Sequence, residues 1–306
     1  MTNEERLQKT IRLEKTDKIL SGPSISQFAA TYAGITQKEF VDDPDKAEAA
    51  YEKTFNELGG WDIMRPAIAR GGAGAGFMMQ RLQPGRDLPD NVVGQVVERE
   101  IMLPVDYDFL IENGFNAFQQ RLSQRMNPPN PDQSSEERQR LAAEEAQKTK
   151  AQTEKWLSRG LTRLTAGSVG LPPFDYFSFN RSISKFPMDV RRMPDKIKAA
   201  IKACIPDMIA NAKKSVEASA CRRVSTASSR SSATFISAKQ FEEFVLPTWL
   251  ELVWAMADAD IDIIFHCDCD WTRFLPYFKE FPRARCVLQL DGATDIFKAK
   301  EILRDL

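Results

Sequence analysis

The chain has 306 residues, enough for one α/β barrel of about 250 residues with extensions. Its 42 Lys and Arg against 43 Asp and Glu give a formal net charge of −1, which leaves no electrostatic footprint for nucleic acid or an anionic membrane. No apolar run is long enough to span a bilayer, the N-terminus has no apolar signal core, and the five unevenly spaced cysteines form no secreted-type framework, so a cytoplasmic protein is expected.

Thr2 and Glu5 form a capping box for a short helix through Leu7 and Ile11. Residues 18–23 then read as a strand ending in a turn. Asp43-Pro44-Asp45 predicts a helix start, with an acid at the N-cap and proline at the first helical position, and Gly59 suits the end of that helix near Leu58. Residues 61–65 read as the second strand. Residues 67–160 interrupt the alternation as an insertion. Within it, Pro128-Pro129-Asn130-Pro131 is a rigid loop, and Ser134 with Glu137 caps a polar helix that ends near Gly160. That helix is either a solvated packing element or a docking surface for a partner.

Strand and helix then alternate again. Residues 164–169 are expected as a strand, and Pro194 to Lys214 as a helix broken at Pro206. Residues 233–236 are expected as a strand, followed by a helix capped by Ser237 and Gln240 and kinked at Pro247. Residues 261–266 and 285–290 complete six strands. Thr294 caps a last helix with Ile296, Ala299 and Leu303 on one face. Repeated βα units imply a parallel sheet covered on both faces, either doubly wound or part of a (β/α)8 barrel.

His266 is the only histidine, and it stands at the end of an apolar strand in Phe265-His266-Cys267-Asp268-Cys269-Asp270-Trp271. Along an extended chain His266, Asp268 and Asp270 share one face and the two cysteines the other. His266 with Asp268 supplies two candidate zinc ligands, and Cys269 a third if the turn rotates it inward. The competing reading is a hydrogen-bonded histidine beside acids that cap a helix. Asp291, at the next strand end, is either a substrate-binding carboxylate or a turn-former. Gly71-Gly72-Ala73-Gly74-Ala75-Gly76 lacks the spacing of a dinucleotide or phosphate loop and reads as a flexible loop at an active site. Val224 to Ser232 is serine-rich and linker-like by composition, and Arg230 within it is either a charge clamp or a solvated side chain.

The run from Phe235 to Pro247, the strand ending at His266-Cys267-Asp268-Cys269-Asp270-Trp271, and Leu290-Asp291-Gly292-Ala293-Thr294-Asp295 together resemble the uroporphyrinogen decarboxylase-like superfamily. The closer resemblance is to the branch beside the cobalamin-dependent methyltransferases. It implies a (β/α)8 TIM barrel, of which this chain holds about six units, as one domain over 1–306 with the insertion at 67–160. It also implies a third zinc ligand, a cysteine beyond Leu306. Zinc-dependent relatives carry His-x-Cys, where this chain has His266 and Asp268. The decarboxylase itself needs an arginine-rich N-terminal motif, and Ser24-Ile25-Ser26-Gln27-Phe28 offers none. The expected function is therefore methyl transfer between a corrinoid, carried by a partner protein, and a small donor or acceptor. Under it, His266, Asp268 and Cys269 hold zinc, Asp291 and Arg230 position substrate, and Ser24, Ser26 and Arg65, after the first two strands, face the cofactor. The alternatives are a decarboxylase of a tetrapyrrole or other polycarboxylate, and a barrel that binds a small ligand without turnover.

Overall fold

A computed structural model describes residues 1–64, 79–126 and 134–304. In chain order the elements are helices α1 (Asn3–Ile11), α2 (Phe28–Ala33), α3 (Gln37–Asp42) and α4 (Pro44–Glu57), then strands β1 (Ile63–Met64), β2 (Met79–Leu82) and β3 (Gln95–Glu98). Helices α5 (Asp106–Met126) and α6 (Ser135–Leu157) lead to β4 (Thr162–Arg163) and β5 (Gly167–Ser168), followed by α7 (Pro173–Arg181), α8 (Phe186–Arg192) and α9 (Pro194–Val216). The last part comprises β6 (Arg223–Ser228), α10 (Ala238–Phe244), α11 (Leu246–Asp258), β7 (Asp262–Cys267), a 3₁₀ helix (Thr272–Glu280), β8 (Cys286–Leu290) and α12 (Ile296–Ile302). Among the described residues no helix is long and apolar enough to cross a membrane.

These elements fall into two compact units. The first holds Met1–Thr10, Glu14–Glu98 and Gln124–Leu164. Helix α4 starts where the sequence says it should, with Asp43 accepting from the backbone N–H groups of Asp45 and Lys46, and at the start of α3 Thr36 with Glu39 closes a reciprocal capping box. Ala29, Ala30, Ala47 and Ala50 form the small-residue side of a core completed by Phe40, Trp61 and Trp156. Phe55 meets both indoles edge-on, at 4.7 and 5.2 Å between ring centroids. Strand β1 pairs in parallel with β4, and β2 with β3 forms an antiparallel hairpin. Helix α6 is exposed along most of its length, with Thr153 and Trp156 as its buried residues.

The expected strand at 18–23 does not form. The Ser21 carbonyl accepts from the N–H groups of Asp62 and Ile63, but no ladder extends from it. Lys18 Nζ and the Ser21 N–H turn instead to the Asp62 carboxylate, at 2.6 and 3.0 Å, and Pro23 has no N–H to offer a ladder.

The second unit holds Ile11–Leu13, Arg99–Ser123 and Thr165–Leu306. Its sheet is parallel, with strand order β5-β6-β7-β8, so neighbours in space follow neighbours in sequence. No reversal of strand order occurs in this sheet of described strands, the order that successive barrel staves also have. Strand β7 is buried except at His266, and its Phe265 packs on Trp249 of α11 at 4.5 Å. Helix α9 runs unbroken through Pro206, because Ile197, Ile201, Cys204, Ile205 and Met208 bury one continuous stripe on either side of it.

The largest correction concerns residues 223–236. The serine-rich stretch is no linker: its first part is β6, held between β5 and β7. The hydroxyls of Ser225, Thr226 and Ser228 are bonded where a linker's would face water, Thr226 Oγ1 donating to the Gly170 carbonyl at 2.7 Å. The strand expected at 233–236 is instead the turn into α10, with the N–H groups of Phe235 and Ile236 both on the Ser232 carbonyl. At the C-terminus the cap is Asp295, which accepts from Phe297 and Lys298, while Thr294 is hydrogen-bonded elsewhere.

Candidate functional site

Strand β7 alternates as its sequence requires. Phe265 and Cys267 point into the packed layer, and His266 between them is exposed. Burial pushes the Cys267 thiol far above its ordinary range, so it behaves as a small hydrophobe. Two residues on from His266, Asp268 places Oδ1 3.0 Å from the imidazole Nε2, with both side chains about half exposed. The Asp268 N–H is tied to the Ser228 carbonyl at the end of β6. The pair therefore stands on the edge of the sheet and not on a free loop.

Asp291 follows β8 and is anchored from both sides. Its N–H donates to the Cys267 carbonyl, Oδ2 accepts from the Cys269 N–H at 3.1 Å, and Oδ1 accepts from the Ala293 N–H at 3.0 Å. Those backbone donors, with a smaller contribution from His266, hold the Asp291 carboxyl below the usual aspartate range. It is an ionised, oriented charge close to the histidine, and a weak base. Thr294 knits the two strand ends further, accepting from the Trp271 N–H and donating to the Cys269 carbonyl. Asp270 caps the 3₁₀ helix through the Thr272 N–H.

Cys269 sits at φ 72°, a left-handed conformation that L side chains rarely adopt. Burial first, then the nearby Asp268 carboxylate, pushes its thiol up, while the Ser232 hydroxyl beside it acts in the opposite sense. A catalytic zinc site takes three protein ligands and keeps one position open. His266 and Asp268 give two donors, and among the described residues no group of three or more His, Cys, Asp or Glu side chains could hold a metal ion. The side chains described here do not by themselves form a zinc site.

Arg230 lies in the turn after β6. Its guanidinium rests 4.1 Å over the Phe179 ring and donates to the Ser178 carbonyl at 2.8 Å. With Phe174, Phe186, Val190, Phe235 and Ile236 it lines an apolar pocket of about 160 Å³. Ser24 and Ser26 belong to the first unit. Ser24 is exposed, and Ser26, at φ 31°, donates to Gln27 Oε1 at 2.5 Å. Arg65 and the glycine-rich loop at 71–76 lie outside the described residues.

The residue that sequence reasoning missed is Asp175, which is fully buried on α7. Oδ1 accepts from the N–H groups of Ser229 and Arg230 at 2.9 and 2.8 Å, and Oδ2 meets the hydroxyls of Ser228 and Ser231 at 2.9 and 2.6 Å. It braces the whole turn that carries Arg230. The signal was available: a single acid inside Phe174-Asp175-Tyr176-Phe177 must be bonded if that helix face is buried.

Residues 145–305, more than half of the chain, match the family described as uroporphyrinogen decarboxylase (URO-D). No curated protein matches the chain. Among solved structures, a methyltransferase from Methanosarcina mazei superposes with a TM-score of 0.56 at 15% identity, covering 99% of this chain and 80% of its own. At that identity the likeness is one of fold. The chain belongs to the uroporphyrinogen decarboxylase family.

Proposed function

We propose that this member of the uroporphyrinogen decarboxylase family is a methyltransferase that works with a corrinoid-carrying partner protein, on a (β/α)8 barrel whose site lies at the C-terminal ends of β6, β7 and β8. The observation that carries the reading is the His266–Asp268 pair, 3.0 Å apart at a strand end, with the anchored carboxylate of Asp291 nearby. The family and the fold likeness to a methyltransferase support it.

The corrinoid supplies an electrophilic methyl group, and the acceptor must meet it as an anion. With Nε2 on Asp268, the imidazole keeps Nδ1 for the acceptor's proton. Asp268 fixes the tautomer, and together with Asp291 it stabilises the imidazolium that forms. Arg230 enters as a cation that orients substrate from the turn after β6. Zinc would need a third ligand besides His266 and Asp268, so no step is assigned to it.

The test is methyl transfer from methylcobalamin to a panel of small thiols, with elemental analysis of the same preparations. Removing a positioned acid–base group costs about 10²- to 10⁴-fold, and His266→Ala is expected to lose that much without loss of fold. Transfer that is undiminished in His266→Ala, or absent from the parent with every donor and acceptor tried, would overturn the reading. Zinc in the parent that disappears with His266→Ala would restore the metal role.

A further inference from the structure

Three oxygen atoms around Asp175 form a closed triangle. Oδ2 lies 2.9 Å from Ser228 Oγ and 2.6 Å from Ser231 Oγ, and the two hydroxyl oxygens lie 2.5 Å from each other. All three residues are buried, so no solvent proton is at hand. A hydrogen bond needs one hydrogen per contact, and a serine hydroxyl has one to give. With Asp175 ionised, two hydrogens must serve three contacts. Even the mildest allocation, with Ser231 bonded to Oδ2 and Ser228 bonded to Ser231, leaves Ser228 Oγ facing a carboxylate oxygen with no hydrogen between them. One more proton, on Oδ2, gives three hydrogens for three contacts. The acid then donates to one hydroxyl, that hydroxyl to the other, and the second back to Oδ2. Oδ1, facing two backbone N–H groups, remains a pure acceptor, as the carbonyl oxygen of a neutral acid is.

We propose that Asp175 is carried as a neutral acid with its proton on Oδ2, and that the resulting ring of hydrogen bonds makes it the positioning residue for the turn bearing Arg230. Burial is the chief influence on this carboxyl and acts in the same direction, raising its pKa against the four donors that oppose it. Among the described residues, the charged and titratable groups around it have contacts of their own. On α7, the Arg181 guanidinium is bonded to Asp189 and Glu100. In the turn, the Arg230 guanidinium is placed on Phe179 and Ser178. On the β7 side stand the Cys267 and Cys269 thiols, both pushed up by burial, and the acid Asp268. A buried carboxylate is costly to keep charged, and neutralising it is a usual resolution.

The consequence is a turn whose geometry depends on one proton. Ionisation removes one ring contact and adds a buried negative charge beside Ser229 and Arg230. The turn should then loosen as pH rises through the raised Asp175 value, and Arg230 should shift on Phe179. This inference stands whatever Arg230 touches, so it survives failure of the methyltransferase reading.

The experiment is carboxyl ¹³C NMR of the full chain labelled at aspartate, read together with the Arg230 Nε–H resonance across a pH series. Expected are one aspartate carboxyl in the protonated range at neutral pH, titrating above the ordinary aspartate range, and an Arg230 shift with the same midpoint. In Asp175→Asn, whose carbonyl can accept from the two backbone N–H groups and whose NH₂ can donate to both hydroxyls, the carboxyl signal and the Arg230 titration should vanish while the fold persists. If that variant does not fold, the parent spectrum still decides. All aspartates ionised at neutral pH, or an Arg230 resonance indifferent to the titration, would overturn the proposal.

Discussion

His266 Nε2 and Asp268 Oδ1 stand 3.0 Å apart on the same side of the chain, at the point where β7 leaves the sheet. The pair follows from the two-residue repeat of an extended chain, and its exposure follows from its place at the strand end. Asp268→Asn should keep the contact through the amide while removing the carboxylate charge. The expected result is a loss of methyl transfer smaller than that in His266→Ala. Transfer equal to the parent's would mean that Asp268 does not act through the histidine.

The acid limb of stability should carry the signatures of Asp291 and Glu39. Both pKa values are depressed in the folded chain, Asp291 by the Ala293 and Cys269 N–H groups and Glu39, to about 2, by Lys46 and Thr36. A depressed carboxyl contributes stability above its unfolded value and loses it as pH falls through the folded one. Stability should therefore decline from the ordinary carboxylate range downward, and Asp291→Asn and Glu39→Gln should each flatten the decline. Thermal unfolding from neutral to acidic pH checks this. Equal slopes in parent and variants would remove both residues from the account.

Cys269 occupies a left-handed conformation in which a Cβ costs about 1–2 kcal/mol. Cys269→Gly should consequently be neutral or stabilising by up to about 1 kcal/mol, and Cys269→Val should be less stable than the parent, because branching at Cβ worsens the same clash. Denaturant midpoints rank the three proteins. A glycine variant less stable than the valine one would show that the thiol matters more than the backbone.

Gly22 lies against β1 so closely that an added Cβ would stand 2.9 Å from Ile63 Cβ. The obstacle is a Cβ fixed to the Ile63 backbone and not the far end of a flexible side chain, so the clash cannot be turned aside cheaply. Gly22→Ala should destabilise by about 1–3 kcal/mol. Urea unfolding followed by tryptophan emission would report it, and an unchanged midpoint would show that residues 18–23 can move away from β1.

Local chemistry alone determined a good part of this protein. Asp43-Pro44 could only start a helix, because the carboxylate caps the free N–H groups and proline lacks the one that would be unbonded. The apolar run before His266 could only be a buried strand of this α/β chain, and its alternation put the histidine and Asp268 on one side. What the tertiary structure decided was everything that depends on a partner distant in sequence. Residues 224–232 look like a linker until β5 and β7 bond their first part from both sides and Asp175, more than fifty residues earlier, meets the hydroxyls of Ser228 and Ser231. Hydroxyl-rich segments have no periodic hydrophobic signal, and whether they face water or a buried carboxylate depends on which groups the folded chain brings opposite them.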